Sequence, residues 1–134
     1  MNADLELVPY QQITLGNTSM TSAVAPTFWV QPAELSVDVR NFQNASVQLM
    51  LDTMIPLGTT GGTFKFVLQE SNDRQYFKDV SDASETFVLT DSNDPIVIDR
   101  IYMLTKFAKY IRASFSSTSF QGTFAVRVVV QLKT

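Results

Sequence analysis

Phe124-Ala125-Val126-Arg127-Val128-Val129-Val130-Gln131-Leu132 is the stretch on which the reading of the fold turns. Phe124, Val126, Val128, Val130 and Leu132 recur at every second position, against Ala125, Arg127, Val129 and Gln131. Successive side chains of a strand point to opposite faces, so this spacing describes a strand that buries one face and leaves the other wet.

The same period appears upstream. Ile111, Ala113 and Phe115 alternate with Tyr110, Arg112 and Ser114, and Phe64, Phe66 and Leu68 alternate with Lys65, Val67 and Gln69. In Val47-Gln48-Leu49-Met50-Leu51-Asp52 the odd positions are apolar, while Gln48 and Asp52 point the other way. Shorter strand candidates cover 11–15, 28–31, 35–39, 76–80, 87–90 and 96–99. Gly58-Thr59-Thr60-Gly61-Gly62 offers the positive φ values of a turn and is read as a hairpin loop between two long strands. Ser71-Asn72-Asp73 and Asp91-Ser92-Asn93-Asp94-Pro95 are turn clusters. Gln121-Gly122 splits the last two strands, which are expected to form an antiparallel hairpin. Ile101, Leu104, Phe107 and Ala108 dissent with helical spacing, which predicts an irregular crossover carrying one helical turn.

About eight to ten short strands without a long helix predict an all-β protein, a two-sheet antiparallel sandwich of jelly-roll-like form. At 134 residues the chain has the size of one domain, residues 1–134. Residues 1–10, with Leu5, Leu7 and Val8 as apolar anchors, are read either as an extended N-terminal arm or as a frayed terminus.

Hydrophobic residues make up 45% of the chain and charged residues 17%, which suits an ordered globular domain. The net charge is -3 and the ten basic residues are spread from Arg40 to Lys133, so no block of cations awaits a nucleic-acid backbone. Nucleic acid and membrane are therefore not expected as partners. The chain has neither cysteine nor histidine. That removes disulfides, thiolate zinc sites and every Ser-His or Cys-His arrangement. The acidic start, Met1-Asn2-Ala3-Asp4, lacks the basic segment and apolar run of a signal sequence, and folding in a reducing cytoplasm is expected.

Carboxylates are the remaining candidates for chemistry. Glu70 and Asp73 could flank a sugar as a hydrolase pair or bind calcium, and Asp91, Asn93 and Asp94 carry oxygen ligands. The latter cluster lacks the glycine and distal glutamate of a calcium loop and reads better as an Asx-type turn. The glycine-rich loop is not followed by Lys-Ser/Thr, so it is no phosphate cradle. No catalytic residue, metal ligand or cofactor is expected. Phe28 and Trp29 are adjacent, so a strand sends them to opposite sides. Trp29 could be buried, or exposed to anchor a protein or stack on a sugar. Arg112 and Arg127 fall on the polar faces of strands read as neighbours; each could pair within the chain or with a partner.

One pattern goes beyond composition. Phe64-Lys65-Phe66-Val67-Leu68-Gln69-Glu70-Ser71-Asn72-Asp73 is followed by Tyr76-Phe77-Lys78-Asp79-Val80, by Lys109-Tyr110-Ile111-Arg112-Ala113-Ser114-Phe115, and by Gly122-Thr123-Phe124-Ala125-Val126. This series resembles the small jelly-roll cement or decoration proteins of tailed bacteriophages, over roughly residues 64–132. The resemblance implies a structural virion protein on the capsid exterior, made in the host cytoplasm, bridging subunits of the major capsid protein as a homo-oligomer (dimer or trimer). The contacts to expect are Leu5 and Leu7 of the arm, Trp29, Gly61 of the glycine-rich loop and Arg112. The Tyr110-Ile111-Arg112 strand also resembles discoidin-like carbohydrate-binding sandwiches, so a carbohydrate-binding module or receptor-binding β-sandwich of a virion is the alternative.

Overall fold

A computed structural model describes residues 3–15, 28–56, 62–89, 96–118 and 122–134. Nine strands follow one another: β1 (Ala3–Leu15), β2 (Phe28–Val30), β3 (Val37–Asp38), β4 (Asn44–Pro56), β5 (Gly62–Ser71), β6 (Lys78–Leu89), β7 (Ile96–Leu104), β8 (Tyr110–Thr118) and β9 (Gly122–Lys133). A 3₁₀ turn, Ala33–Leu35, separates β2 from β3. One sheet has the order β1-β9-β4-β7; the other has β2-β8-β5-β6, with β3 also paired to β8.

The order follows from one folded ribbon. β5 and β6 form the hairpin at its tip, β4 pairs β7, β2 and β3 pair β8, and β1 pairs β9, all antiparallel. Rolling that ribbon brings β9 against β4 and β8 against β5, which closes two sheets over one core. This is a jelly-roll sandwich, as the strand periodicity predicts.

The core is the set of inward positions that the alternation marks. Phe64, Phe66, Ile111, Phe115, Phe124, Val126, Val128 and Val130 are all buried. Phe115 stands at the centre, with ring centroids 5.7 Å from Phe64, 5.6 Å from Phe66 and 5.8 Å from Phe124. Phe124 belongs to the opposite sheet and meets Phe64 edge-on at 4.9 Å. Tilted and edge-on rings of this kind add roughly 0.5–1.5 kcal/mol per pair beyond their area burial.

Four expectations are corrected. β8 and β9 do not form a hairpin: they lie in different sheets, and their inner faces meet across the core through Phe115 and Phe124. The glycine-rich connection is not a hairpin loop either, because β4 and β5 also belong to different sheets. The helical spacing at Ile101, Leu104, Phe107 and Ala108 gives no helical turn. Ile101 and Leu104 sit in β7, in unbroken register with β4 from Ala45↔Leu104 to Leu51↔Ile98, where each backbone group finds a ladder partner on β4's side. Finally, residues 3–10 are not a free arm. They begin β1, which covers the edge of β9 from Ala3↔Leu132 to Leu15↔Gly122. Register shifts between Glu6 and Val8 and between Val8 and Gln11 turn both Leu7 and Val8 into the core.

Buried Gln31 fastens this edge. Its Nε2 donates to the Leu7 carbonyl at 2.7 Å and its Oε1 accepts from the Ala113 N–H at 3.1 Å, tying β1 of one sheet to β8 of the other.

Candidate interaction site

β7 has a different pattern from the other long strands, because both of its faces carry large apolar side chains. Its inward positions are filled: Ile98 and Leu104 are buried, and the Tyr102 ring lies 5.6 Å from Phe66. Arg100 and Tyr102 reach across to the second sheet, where Glu85 on β6 accepts from the Tyr102 hydroxyl at 2.9 Å and from Arg100 Nε at 3.3 Å. Burial first, and then the Glu85 carboxylate, push the Tyr102 hydroxyl above its ordinary pKa.

The outward positions of β7 are Val97, Asp99, Ile101 and Met103. Val97 is 69% exposed, and Ile101 and Met103 are each 62% exposed. Asp99 accepts a hydrogen bond from Gln48 on β4 at 3.0 Å, which fixes it between the apolar side chains. Beside it a depression of about 290 Å³ opens between Tyr10, Met50, Val97, Asp99 and Arg127. Arg127 is held at its rim by Glu6, its Nε donating at 2.6 Å.

β7 is also an edge strand, paired among the described residues to β4 alone. Edge strands expose a row of unpaired backbone groups, and proteins that keep such edges free use bulges, charges or proline to blunt them. β6, the edge of the second sheet, has such devices: its register with β5 breaks between Val67 and Gln69, and Lys78, Asp79 and Asp82 are exposed. β7 has neither bulge nor proline within its register from Ile98 to Leu104, and its exposed Asp99 and Arg100 are the charges it carries. A straight edge with an outward apolar row is the arrangement by which one chain docks against another.

Of the residues expected as contacts, those described lie off this row. Leu7 is buried in the chain's own core, and Leu5 is half-buried against it. Gly61 lies outside the described residues, as do Asp91, Asn93 and Asp94. Trp29 points inward, 5.6 Å from Phe115, while Phe28 is exposed. The ring that a glycan-stacking surface would need at Trp29 is therefore committed to the core. Arg112 is engaged within the chain: Nε donates to Gln69 Oε1 at 2.9 Å, Nη1 donates to the Gln31 carbonyl at 3.3 Å, and the guanidinium lies 3.8 Å from the Phe77 ring centroid. Burial pulls its pKa down. Arg112 and Arg127 are in different sheets and are not neighbours.

Glu70 and Asp73 do not converge on a substrate. Glu70 accepts from the Ala108 N–H at 2.8 Å. Asp73 Oδ1 accepts from the N–H groups of Gln75 and Tyr76 and from the Ser71 hydroxyl, so its carboxyl is held below the usual range by those bonds. Among the described residues no group of three acidic side chains could hold a metal ion.

No family model matches the chain, and no curated protein matches it. Among solved structures it is similar to the decameric BFDV capsid protein, with 14% identity and a TM-score of 0.38 over 100% of both chains. It is similar too to BiXyn10A CBM1 in its apo form, with 9% identity and a TM-score of 0.38 over 98% of this chain and 97% of the other. Both likenesses are too low to argue for a function.

The two motifs that resemble cement proteins form one unit in the structure. Gln69 pairs Arg112, Glu70 pairs Ile111 and Ser71 pairs Tyr110, side by side on β5 and β8. The outward row of β7 escaped the sequence reading because its alternation is apolar on both faces, which left the spacing of Ile101, Leu104 and Phe107 as the visible signal.

Proposed function

We propose that this chain is a structural virion protein of the cement or decoration kind, which holds major capsid protein subunits together on the capsid exterior by surface contact. The observation that carries this reading is the exposed row Val97, Ile101 and Met103 on the edge strand β7. Covering a large aliphatic side chain contributes roughly 1.5–3 kcal/mol relative to leaving it in water. Repetition around a symmetric shell multiplies such moderate contacts without any strong single site. The jelly-roll sandwich suits the role by presenting wide faces on a closely packed core. The paired motifs on β5 and β8 support the same reading through their resemblance to cement proteins.

The test is the composition of purified virions, by mass spectrometry and electron cryomicroscopy. The expected result is this chain on the outer shell in symmetric copies, with light scattering of the isolated chain giving a dimer or trimer. Ile101→Asp should leave the chain folded and strip it from particles. Mature particles that lack the chain would overturn the proposal.

A further inference from the structure

The end of the sandwich where β3 leads to β4, β5 to β6 and β7 to β8 is fastened by polar bonds into one floor. The Val39 N–H donates to the Lys109 carbonyl at 2.7 Å, the Ala108 N–H to Glu70 at 2.8 Å, and the Gln43 N–H to the Lys133 carbonyl at 2.9 Å. Tyr110 stands over this floor between two arginines from different connections. The Arg74 guanidinium carbon lies 4.4 Å from the centroid of its ring and that of Arg40 lies 5.4 Å away.

The two guanidinium groups are not equally satisfied. Arg40 Nε pairs with Asp38 at 2.9 Å, and Arg40 Nη2 donates to the Tyr110 hydroxyl. Arg74 makes one long bond, from Nη2 to the Ser36 carbonyl at 3.4 Å, and no carboxylate among the described residues pairs with it. Two cations thus share one ring, and Asp38 is the carboxylate that pairs with Arg40. Exposed Lys106 and Lys109 lie on the same end, as do Glu70 and Asp73.

Arg74 also has a φ of 62°, the one positive value among the described non-glycine residues. A bulky side chain in the left-handed region is held there by its surroundings, and such residues cluster at functional sites. Here the holding groups are Ser71 Oγ, which accepts from the Arg74 N–H at 3.0 Å, and Asp73, which accepts from the next two N–H groups. These bonds fix the backbone of the turn that carries Arg74. On the same end a polar recess of about 370 Å³ lies between Phe42, Gln43, Asn44, Thr105, Lys106 and Phe107.

We propose that this end is a docking site for an acidic segment of a partner protein, with an Asp or Glu carboxylate gripped by Arg74 and Arg40 beside Tyr110. A guanidinium fork matches the two oxygens of a carboxylate, and donors fixed in advance lose little freedom on binding. The fork also fits a phosphate, so oligo-dT is the control for a general preference for anions. The inference rests on the contact function proposed above only for the identity of the protein that carries the segment.

The test is fluorescence anisotropy of the full chain with a labelled hexaglutamate peptide at low salt, beside oligo-dT and hexalysine probes of equal length. Hexaglutamate should bind, weaken as salt rises, and lose about tenfold or more in affinity when Arg74→Gly is combined with Arg40→Gln. Glycine suits the positive φ, so the Arg74 variant keeps the turn, and circular dichroism checks the fold. Lys65→Gln, on the outer face of β5, should bind as the parent does. No hexaglutamate binding, equal binding by the double variant, or tighter binding of oligo-dT overturns the inference. Hexaglutamate binding by a chain missing from virions would count against the capsid role alone, whereas presence on virions without peptide binding would count against this site alone.

Discussion

Replacing Gln31 with leucine tests whether the closure of the sandwich is understood. The side chain is 4% exposed, and its amide makes one bond to each sheet, to the Leu7 carbonyl at 2.7 Å and the Ala113 N–H at 3.1 Å. Leu7 falls within a register shift, where β9 offers it no paired residue. Leucine has a similar volume and no polar atoms, so both backbone groups would be left without that partner inside the protein. Each orphaned group costs about 1–3 kcal/mol, giving an expected loss of about 2–6 kcal/mol. A domain of this size has only about 5–15 kcal/mol in hand. With a urea dependence of about 1–3 kcal/mol per molar, the midpoint should fall by about 1 M or more. Hydrogen exchange at the Ala113 amide should accelerate beyond what global unfolding explains. Gln43→Leu, at an exposed site, serves as the control and should stay within about 0.5 kcal/mol of the parent. If both variants unfold at the same urea concentration, the bridge through Gln31 does not close the sandwich and the reasoning fails.

Phe115→Ala removes the ring shared by Trp29, Phe64, Phe66 and Phe124, and should cost about 3–5 kcal/mol in urea or thermal unfolding. At high pH, the raised pKa of Tyr102 means that its contribution to stability is intact below the ordinary tyrosine value of 10.0 and is lost as pH climbs through the folded value. Midpoints measured above about pH 10 should therefore fall, and Tyr102→Phe should flatten that limb. The sign reverses for Asp73, whose lowered pKa gives stability that is intact above the ordinary carboxylate range and is lost as pH falls through the folded value. Asp73→Asn should reduce the acid sensitivity of the parent, read as midpoints between neutral pH and about pH 3.

Period-two alternation was sufficient to find β5, β8 and β9 and to name their inner faces, because each buries one face and wets the other. It could not say which strands share a sheet. Phe115 and Phe124 look the same in sequence whether their strands lie side by side or face each other, and a short connection such as that between Thr118 and Gly122 suits either arrangement. Alternation required Phe28 and Trp29 to part, yet the parity was decided by the pairing of Trp29 with inward Phe115 on β8. The cluster around Tyr110 had no sequence signal. Arg40, Arg74 and Tyr110 meet because the ribbon brings two connections and the start of β8 to one end, and nothing in their spacing records that.

The two surfaces differ in the forces that would hold a partner, and a bridging role makes use of that difference. The β7 row is a hydrophobic contact, insensitive to salt and limited by how completely an edge can be covered. The end around Tyr110 is electrostatic, acts at longer range and weakens as ions screen it. A protein that must find its place on a shell and then stay there gains from both: charge guides the encounter, and apolar burial slows departure. The two sites share no residue, since Val97, Ile101 and Met103 belong to β7 while Arg40, Arg74 and Tyr110 come from the connections around β3, β5 and β8. The proposed capsid role would have one copy touch two neighbours through these two surfaces, which a monovalent binding module would not do.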